Sequence, residues 1–409
     1  MLIYFATIIP ILLFAFIVFS YLQERKYRRK PFYKLADLGW QRHTPSEGAE
    51  LVHSVAMLGD IGAIALDGSD PVMQLFEKWQ QKAGSASTAV FLGDNLYPIG
   101  LPEEGHRLRD VAETRLNLLL EHIDSFQGKG IFLSGNHDWL KGREGGYKQM
   151  LRQEEYVLAK LQDEDSYLPR HGCPGPVSLQ LAEGLLLVVI NTQWFVQRGE
   201  KPLGSKYGCP YTDIEEFFIA FNDLLRRNRH QRVLVAAHHP LYSNALHGGK
   251  FTMKQHIFPL TAAHKRIYIP LPIFGSLYPF YRKFFGAYED MSHRKYKKMR
   301  KRLLAIMHRY SNIIYVAGHD HNLQHFEVRQ NHYIVSGSGS KTAFVKKGGK
   351  ATFTLEELGF FVLNYYSNGE VWMEALAAAV PDQETVVFRK KLDSLLQTAP
   401  QQATVPSPS

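Results

Sequence analysis

Residues Val90 to Gly100 read V-F-L-G-D-N-L-Y-P-I-G. The apolar first part of this stretch predicts a buried strand that ends at Gly93. Asp94 and Tyr97 follow where the chain leaves the sheet, and open α/β sheets place their ligands at the carboxyl ends of their strands. One Gly-Asp pair after a strand is more typical of a turn than of a site. Asp94 and Tyr97 are therefore candidate metal ligands only if similar turns recur along the chain.

Similar polar turns follow four more predicted strands. These strands cover 51–58, 128–133, 232–237 and 311–317, and helices are predicted over 72–82, 107–124 and 212–227. The turns supply Asp60, Asn136, His238, His319 and His321, beside Asp94 and Tyr97. Repeated strand, turn and helix units predict a layered α/β domain with its polar turns at one edge. Carboxylate, amide and imidazole donors together suit iron, manganese or zinc, whereas calcium prefers oxygen donors alone.

The turns, taken in order, resemble the motifs of the metallophosphoesterase superfamily. They read Gly59-Asp60, Gly93-Asp94, Gly135-Asn136-His137-Asp138, His238 and Gly318-His319-Asp320-His321. Gly-Asp-Asn-Leu-Tyr and Gly-His-Asp-His-Asn-Leu-Gln are most similar to the purple acid phosphatases of the small tartrate-resistant type. The resemblance covers roughly residues 51–376. It implies a four-layer α/β/β/α sandwich and a binuclear metal centre that hydrolyses phosphomonoesters.

The resemblance also implies which residues hold each metal. Metal 1, a ferric iron, would be held by Asp60, Tyr97 and His321. Metal 2, a ferrous iron, zinc or manganese, would be held by Asn136, His238 and His319. Asp94 would bridge the two ions, because a carboxylate has two oxygens. Gly62 stands where the wider superfamily has a histidine ligand, and the Tyr97 phenolate, which favours a trivalent ion, would replace it.

The resemblance also implies which residues act in catalysis. Hydroxide formed on the metals would attack phosphorus in line with the ester oxygen, and His137 or His247 would protonate the leaving alkoxide. Asp138 would orient His137 by accepting its other ring proton. His238 fits the family pattern of a histidine three residues after a valine, which leaves His239 as the weaker ligand candidate.

Three other functions stay open at this point. The same metal site would serve a phosphodiesterase or pyrophosphatase that acts on lipid head groups or nucleotides. A protein that only binds phosphorylated ligands is disfavoured, because every metal position is filled. The net charge of +9 allows nucleic-acid binding, but no known platform that combines basic and aromatic residues is visible.

The N-terminal segment predicts membrane attachment. Residues 1–22 contain no Lys, Arg, Asp or Glu and are long enough for a single spanning helix. A hydrophobic helix buried in the fold is the alternative. Basic residues begin the linker, 23–50, directly after the apolar run, so the positive-inside rule places the catalytic domain in the cytoplasm. The extracytoplasmic alternative stays open.

The predicted domain, 51–376, contains an insertion at 250–302. Its aromatic and proline-rich stretch, 268–281, and its basic block, 293–302, together resemble a segment that lies on an anionic membrane surface. The alternative is a solvated basic helix beside a loop packed on the core. Residues 377–409 form a C-terminal extension, of which 397–409 are predicted to be disordered.

The chain contains only two cysteines, Cys173 and Cys209. Two free buried thiols are the default expectation for so few cysteines. The two could pair if the domain were extracytoplasmic.

Overall fold

The structure, a computed structural model, describes residues 2–28, 30–262, 264, 266–271, 274–378 and 385–392. The helices of four residues or more are α1 (Leu2–Arg28), α2 (Pro71–Ala83), α3 (Arg109–Asp124), α4 (Gly146–Leu161), α5 (Thr192–Val196), α6 (Ile214–Arg227), α7 (Met253–Ile257), α8 (Leu277–Phe284) and α9 (Arg294–Met307), with a 3-10 turn over Pro259–Ala262. The strands are β1 (Phe32–Tyr33), β2 (Leu51–Leu58), β3 (Ser87–Phe91), β4 (Lys129–Phe132), β5 (Val177–Ala182), β6 (Leu185–Val189), β7 (Arg232–Ala236), β8 (Ile313–Ala317), β9 (Leu323–Val328), β10 (Asn331–Ser336), β11 (Ala351–Leu355), β12 (Gly359–Tyr366), β13 (Val371–Ala377) and β14 (Val386–Leu392).

The strands form two sheets whose central strands are parallel. The first sheet has the order β14-β13-β12-β2-β3-β4, and the second has the order β1-β11-β9-β10-β8-β7-β6-β5. Strands β2, β3 and β4 run parallel in the first sheet, and β6, β7, β8 and β10 run parallel in the second. Parallel neighbours end at the same edge of a sheet, so the turns after β2, β3, β4, β7 and β8 can meet.

Buried apolar side chains form three clusters that define the layers. One cluster lies between the two sheets and includes Val90 and Ile314. A second packs the first sheet against α2, α3 and α4, and a third packs the second sheet against α5, α6 and α9. The layers run helix, sheet, sheet, helix, and the predicted mixed α/β fold with two sheets is confirmed.

Helix α2 shows how local sequence places these elements. Asp70 caps the helix by accepting hydrogen bonds from the backbone amides of Val72 and Met73, and Pro71 occupies the first helical position. Val72 and Phe76 are then buried one turn apart against the first sheet. The predicted helix over 72–82 therefore matches α2 closely.

Both ends of the domain extend beyond the predicted boundaries. Residues 23–50 are not a simple tether, because Phe32 pairs with Thr354 of β11 and Trp40 is buried in the cluster between the sheets. At the other end β14 pairs with β13, so the sheet continues past residue 376 to Leu392. Apolar residues within polar surroundings, such as Trp40 and Phe388, are what draw these segments into the core. The predicted disordered end, 397–409, lies outside the described residues.

Helix α1 covers the segment predicted to span a membrane. Among the residues that the structure describes, no helix has the length and apolar character needed to cross a bilayer. Met1 and several side chains within α1 lie outside the described residues. Ile11 and Phe14 are among the described apolar side chains of α1, and both are exposed.

Cys173 and Cys209 form a disulfide bond, so the expectation of two free thiols is wrong. Their Cα atoms lie 5.6 Å apart, within the range that a disulfide spans. The bond ties the segment after α4 to the loop before α6. The fold brings these two loops together across 36 residues, and sequence spacing alone could not show this.

The basic block of the insertion is not a separate surface segment. It forms most of α9, whose Tyr296, Met299 and Leu303 are buried against the second sheet. Arg302 donates to Glu215 Oε1 at 2.6 Å. This is the alternative considered for residues 293–302, a basic helix face on a helix that packs on the core.

Candidate metal centre

Four of the predicted ligands meet where β2, β3 and β8 end. The Tyr97 hydroxyl oxygen lies 2.8 Å from Asp60 Oδ1, 3.1 Å from Asp94 Oδ2 and 3.1 Å from His321 Nε2. His321 Nε2 also lies 3.3 Å from Asp60 Oδ1. Asp60, Asp94 and Tyr97 are buried. The structure thus brings together the donors that the resemblance assigns to metal 1.

Burial and neighbouring charges determine the protonation of Tyr97 and Asp94. Burial raises the pKa of Tyr97 well above its usual range, and the charges of Asp60 and Asp94 raise that pKa further. Burial also disfavours the charged form of Asp94, but His137 and His238 outweigh it and lower the Asp94 pKa. The phenol therefore keeps its proton unless a cation takes the place of that proton.

The second group of donors forms around Asn136. His238 Nδ1 lies 2.8 Å from the Leu92 carbonyl oxygen, and His319 Nε2 lies 3.2 Å from the Glu289 carbonyl oxygen. Each of these nitrogens donates its proton to the carbonyl, so in the neutral imidazoles His238 Nε2 and His319 Nδ1 carry lone pairs. Both lone pairs face Asn136 Oδ1, at 2.9 and 3.1 Å.

Asn136 cannot turn its amide group to present Nδ2 as a donor to the two lone pairs. Its Nδ2 atom donates to Glu289 Oε1 at 2.8 Å, which fixes Oδ1 toward the two histidines. Three acceptor atoms therefore converge, and a bound cation would satisfy all three. Burial lowers the pKa of His238, but Asp94 and Asp60 outweigh it and raise that pKa, so the site favours positive charge, either as a second proton on His238 Nε2 or as a cation in the place of that proton. The residues fit a metal ion.

Asp94 lies between the two groups. Its Oδ2 faces Tyr97 at 3.1 Å, and its Oδ1 lies 3.5 Å from His238 Nε2. The backbone amide of His137 donates to Asp94 Oδ1 at 2.8 Å and so holds the carboxylate in this orientation. Ligand atoms of Asp60, Asp94 and His238 all lie within 4.8 Å of one another.

His239 also lies beside the second group. Its Nδ1 lies 3.0 Å from the Thr192 hydroxyl oxygen, and its buried Nε2 has no hydrogen-bond partner among the described residues. Ligand atoms of His238, His239 and His319 lie within 4.8 Å of one another. His239 therefore has an atom free to face a cation, although the sequence pattern favours His238.

The two predicted catalytic histidines lie at opposite sides of the donor groups. His137 Nδ1 lies 2.6 Å from the Pro98 carbonyl oxygen, which leaves Nε2 3.8 Å from Asp94 Oδ2. His247 Nδ1 lies 3.0 Å from Asp290 Oδ1, and its ring centre is 4.2 Å from that of His319.

Their environments shift the two pKa values in opposite directions. Burial lowers the pKa of His137, and the nearby Asp94 does not reverse this. Burial also acts to lower the pKa of His247, but Asp290 and Asp320 outweigh it and raise that pKa. His247 therefore carries a proton to higher pH than His137 does.

Asp138 does not orient His137, and that prediction is wrong. Its buried carboxylate accepts hydrogen bonds from the backbone amides of Gly135 at 2.7 Å and Asn95 at 3.1 Å, and from Gln153 Nε2 at 2.9 Å. The two residues are neighbours in sequence, but their side chains have different partners. Asp138 instead ties the turn after β3 to the turn after β4.

Sequence reasoning missed three residues at this site. Glu289 and Asp290 of the insertion contact Asn136, His319 and His247 as described above. Lys341, in the loop after β10, places its Nζ 3.0 Å from the centre of the Tyr97 ring. Burial lowers the Lys341 pKa to about 8, although Asp94 and Asp60 oppose that effect. The sequence does distinguish Glu289, because it is the first acidic residue after Asp223.

The two packed sheets and the converging carboxylate, amide and imidazole donors define a metal-dependent phosphoester hydrolase. Residues 53–323 match the model of the family described as calcineurin-like phosphoesterase. The match covers more than half of the chain, which therefore belongs to the calcineurin-like phosphoesterase family.

The solved structures that are similar to this chain include the following three. GAP50, the anchor in the inner membrane complex of Plasmodium, is 16% identical, with a TM-score of 0.51, over 84% of this chain and 90% of that chain. Purple acid phosphatase PPD1 from yellow lupin seeds is 14% identical, with a TM-score of 0.48, over 85% and 55%. PhoD is 10% identical, with a TM-score of 0.46, over 86% and 73%. At identities this low, similarity to a solved structure shows the fold alone. No curated protein matches the chain at a significant level.

Proposed function

We propose that the protein is a phosphomonoester hydrolase with a binuclear metal centre. The observation that carries the proposal is the position of Asp94, with one oxygen toward Tyr97 and the other toward His238. Asp60, Tyr97 and His321 would hold the first ion, and Asn136, His238 and His319 the second. A carboxylate between two donor groups is the arrangement that two neighbouring ions require.

The two ions differ in the donors available to them. The phenol of Tyr97 has a pKa raised by burial, so the first ion must carry high charge to bind the phenolate, and we propose ferric iron. The second group offers an amide oxygen and two imidazoles, which suit ferrous iron, zinc or manganese. When bound, the two ions supply charge neutralisation of the phosphate and activation of water.

The two histidines divide the proton chemistry. Asp290 holds Nδ1 of His247 and stabilises its charged form, so His247 is suited to protonate the leaving alkoxide. The proton on Nδ1 of His137 is directed to the Pro98 carbonyl, so its neutral Nε2 presents a lone pair. His137 would accept a hydrogen bond from water or from a protonated phosphate oxygen. Opposite pKa shifts in one site commonly mark an acid and a base.

A phosphomonoester is the substrate class that the local charge favours. Lys341 lies over the Tyr97 ring, and Lys141 is close enough to lower the pKa of both Lys341 and His137. A monoester carries two negative charges near neutral pH, so it gains more from two nearby lysines than a diester does.

The test is a comparison of p-nitrophenyl phosphate with bis(p-nitrophenyl) phosphate, with metal content measured on the same protein. We expect two metal ions per chain and a higher kcat/KM for the monoester. Lys341→Gln should reduce the preference for the monoester more than it reduces metal content. A preference for the diester with full metal content would favour the alternative, hydrolysis of diester or pyrophosphate bonds in lipid head groups or nucleotides. Hydrolysis of neither ester by the fully loaded protein would overturn the proposal.

We further propose that α1 attaches the protein to a membrane. Residues 1–22 contain no Lys, Arg, Asp or Glu, and Ile11, Phe14 and Phe19 of α1 are exposed. An uncharged apolar segment of this length is favoured in a bilayer. The chain should remain in the membrane fraction after washing at high salt and alkaline pH. Release by that wash would exclude the attachment.

The proposed side of that membrane is extracytoplasmic. The basic residues after the apolar segment favour a cytoplasmic domain, but the bond between Cys173 and Cys209 is of a kind that persists in oxidising compartments. The proposal rests on the disulfide, because structural disulfides are rare in a reducing cytoplasm. Thiol labelling of denatured protein from rapidly quenched cells should detect no free cysteine before reduction. Full labelling of both cysteines without reductant would instead indicate that the domain is cytoplasmic.

A further inference from the structure

Helix α8 turns its apolar face away from the protein. Leu277, Phe280, Tyr281 and Phe284 occupy one face of the helix, at the spacing of successive turns, and their exposed fractions are 65%, 55%, 52% and 53%. A helix on a globular protein normally buries such a face. Helix α9 of the same insertion does bury its apolar face, so the exposure of α8 does not follow from its position in the insertion.

Two further side chains extend this surface at its ends. Phe274 precedes α8 with 72% of its area exposed, and Phe285 follows it with 66% exposed. We call Phe274, Leu277, Phe280, Tyr281, Phe284 and Phe285 the α8 surface. Contiguous exposed apolar surface of this kind marks a contact with a lipid or a protein partner.

The opposite face of α8 is fixed to the rim of the metal centre. Arg282 Nε donates to Asp290 Oδ2 at 2.8 Å, and Asp290 Oδ1 lies 3.0 Å from Nδ1 of His247. Pro279 on the same side is buried. Because the inner face has charged partners of its own, the helix has no reason to rotate and bury its aromatic side chains.

Charge identifies the partner that suits the surface. Residues 246–288 contain six Lys and Arg residues and no Asp or Glu. Lys283 is exposed, and its Nζ lies 5.4 Å from the centre of the Phe284 ring; Arg266 of the same segment is also exposed. Segments that lie in the interface of anionic bilayers typically combine aromatic side chains with basic residues and lack acidic ones. A protein partner would more commonly be matched by residues of both signs.

The position of α8 relative to α1 agrees with a lipid partner. At the end of α1, Arg28 Nε donates to Glu356 Oε2 at 2.8 Å, and the Lys347 ammonium lies 3.8 Å from the Tyr27 ring centre. Val345 pairs with Ala245, and the loop that follows Ala245 runs past Lys283 of α8. A short series of contacts therefore connects the end of α1 with α8.

We propose that the α8 surface docks into the interface of an anionic lipid bilayer. The aromatic side chains would enter the region between head groups and acyl chains, and Arg266 and Lys283 would face lipid phosphates. The basic block of α9 takes no part, since its helix packs on the second sheet. This proposal does not depend on the hydrolytic activity proposed above.

The test uses the full chain and a fluorescent label on an introduced cysteine. Cys173 and Cys209 are paired, so Phe280→Cys provides the one reactive thiol. Ile219→Cys is the matched control, because Ile219 lies outside the insertion, on α6, with 69% of its area exposed. Both proteins are added to vesicles of equal parts phosphatidylglycerol and phosphatidylcholine that contain a lipid-borne quencher.

We expect lipid quenching at position 280 to exceed that at position 219 several-fold. Iodide in the aqueous phase should quench the control label and spare the label at 280. Arg266→Gln with Lys283→Gln should lower the docked to undocked ratio on anionic vesicles by about fivefold for each charge, and change little on pure phosphatidylcholine.

Three results would overturn the proposal. The first is iodide quenching at position 280 that vesicles do not reduce. The second is failure of the chain to float with anionic vesicles. The third is protection of the label without vesicles as protein concentration rises, which would mean that a second copy covers the surface. None of these readouts measures hydrolysis, so failure here and failure of the proposed activity are distinguishable.

Discussion

Replacing Glu289 with alanine should weaken one metal site and spare the other. Glu289 Oε1 accepts the amide proton of Asn136 and so directs Asn136 Oδ1 toward His238 and His319. Alanine removes that acceptor but keeps the backbone carbonyl that binds His319 Nε2. Asn136 would then be free to rotate, and its oxygen would face the second ion for only part of the time. No side-chain donor of the first group contacts Glu289 in the described part of the chain.

The expected loss follows from the single hydrogen bond removed. A hydrogen bond to a charged group contributes about 1.5 to 3 kcal/mol. Loss of a residue that orients a metal ligand typically costs about 10-fold to 100-fold in metal affinity, a free energy of similar size. We therefore expect the affinity for the second ion to fall within that range. Competition with a chromophoric zinc chelator would measure this fall, while visible absorption from Tyr97 reports the occupancy of the first site.

Glu289→Gln is the matched control. Its amide oxygen keeps an acceptor for Asn136 and removes only the charge, so its affinity for zinc should lie closer to that of the unchanged protein. Equal losses in the alanine and glutamine variants would mean that charge, and not ligand orientation, explains the effect. Equal loss of both ions, or no loss, would refute the reasoning.

Three further changes test other parts of the site and fold. Asp94→Asn should weaken both metals and lower phosphatase activity by orders of magnitude, because Asp94 faces both donor groups; metal analysis that finds one ion at normal affinity would contradict bridging. Tyr97→Phe should abolish a broad visible band from phenolate-to-iron charge transfer, and an unchanged band would exclude Tyr97 as a ligand. His332 is buried beside His325, and burial lowers its pKa from 6.5 to about 4. The folded state therefore binds fewer protons than the unfolded state between these pH values, so the free energy of unfolding falls by roughly 3 kcal/mol as pH drops through that window. His332→Gln should flatten this fall in denaturant titrations, and an unchanged pH dependence would assign it to other groups.

The polar turns could be predicted because their chemistry is local. Asp60, Asp94 and His319 have positive φ angles of 60°, 53° and 70°, and a glycine precedes each of them. The glycines are needed where turns approach one another. A Cβ atom on Gly318 would lie 2.5 Å from Asp60 Oδ2, and one on Gly135 would collide with Asp94 Oδ1. Such constraints leave a pattern in sequence that can be recognised without the fold.

The outer contacts of the site left no such pattern. Glu289 reaches Asn136 across 153 residues, and Lys341 reaches Tyr97 from a loop with no regular structure. Neither position follows from strand order or from helix periodicity. Asp138 shows the converse error, since its place next to His137 in the sequence suggested a contact that the folded chain does not make.

The insertion shows why composition could not separate surface from core. Residues 268–281 and 293–302 are both rich in aromatic or basic side chains, and this composition fits a membrane surface as well as a basic helix beside a packed loop. Packing distinguishes them, because Tyr296 and Met299 of α9 are buried whereas Phe280 and Phe284 of α8 are exposed. Which face of a helix meets the core depends on its neighbours, and the neighbours of α8 include the charged pair of Arg282 and Asp290.

The disulfide and the proposed ferric iron lead to the same compartment by separate routes. A reducing cytoplasm would keep Cys173 and Cys209 as thiols and would also favour the ferrous state at the first metal site. A ferrous ion carries less charge, and Tyr97 needs high charge to lose its proton against burial and two carboxylates. An oxidising compartment removes both conflicts at once. If the domain proves to be cytoplasmic, Tyr97 should keep its proton, and the visible band should be absent from freshly isolated protein. A cytoplasmic location would therefore contradict both the proposed compartment and the assignment of Tyr97 as a ligand of ferric iron.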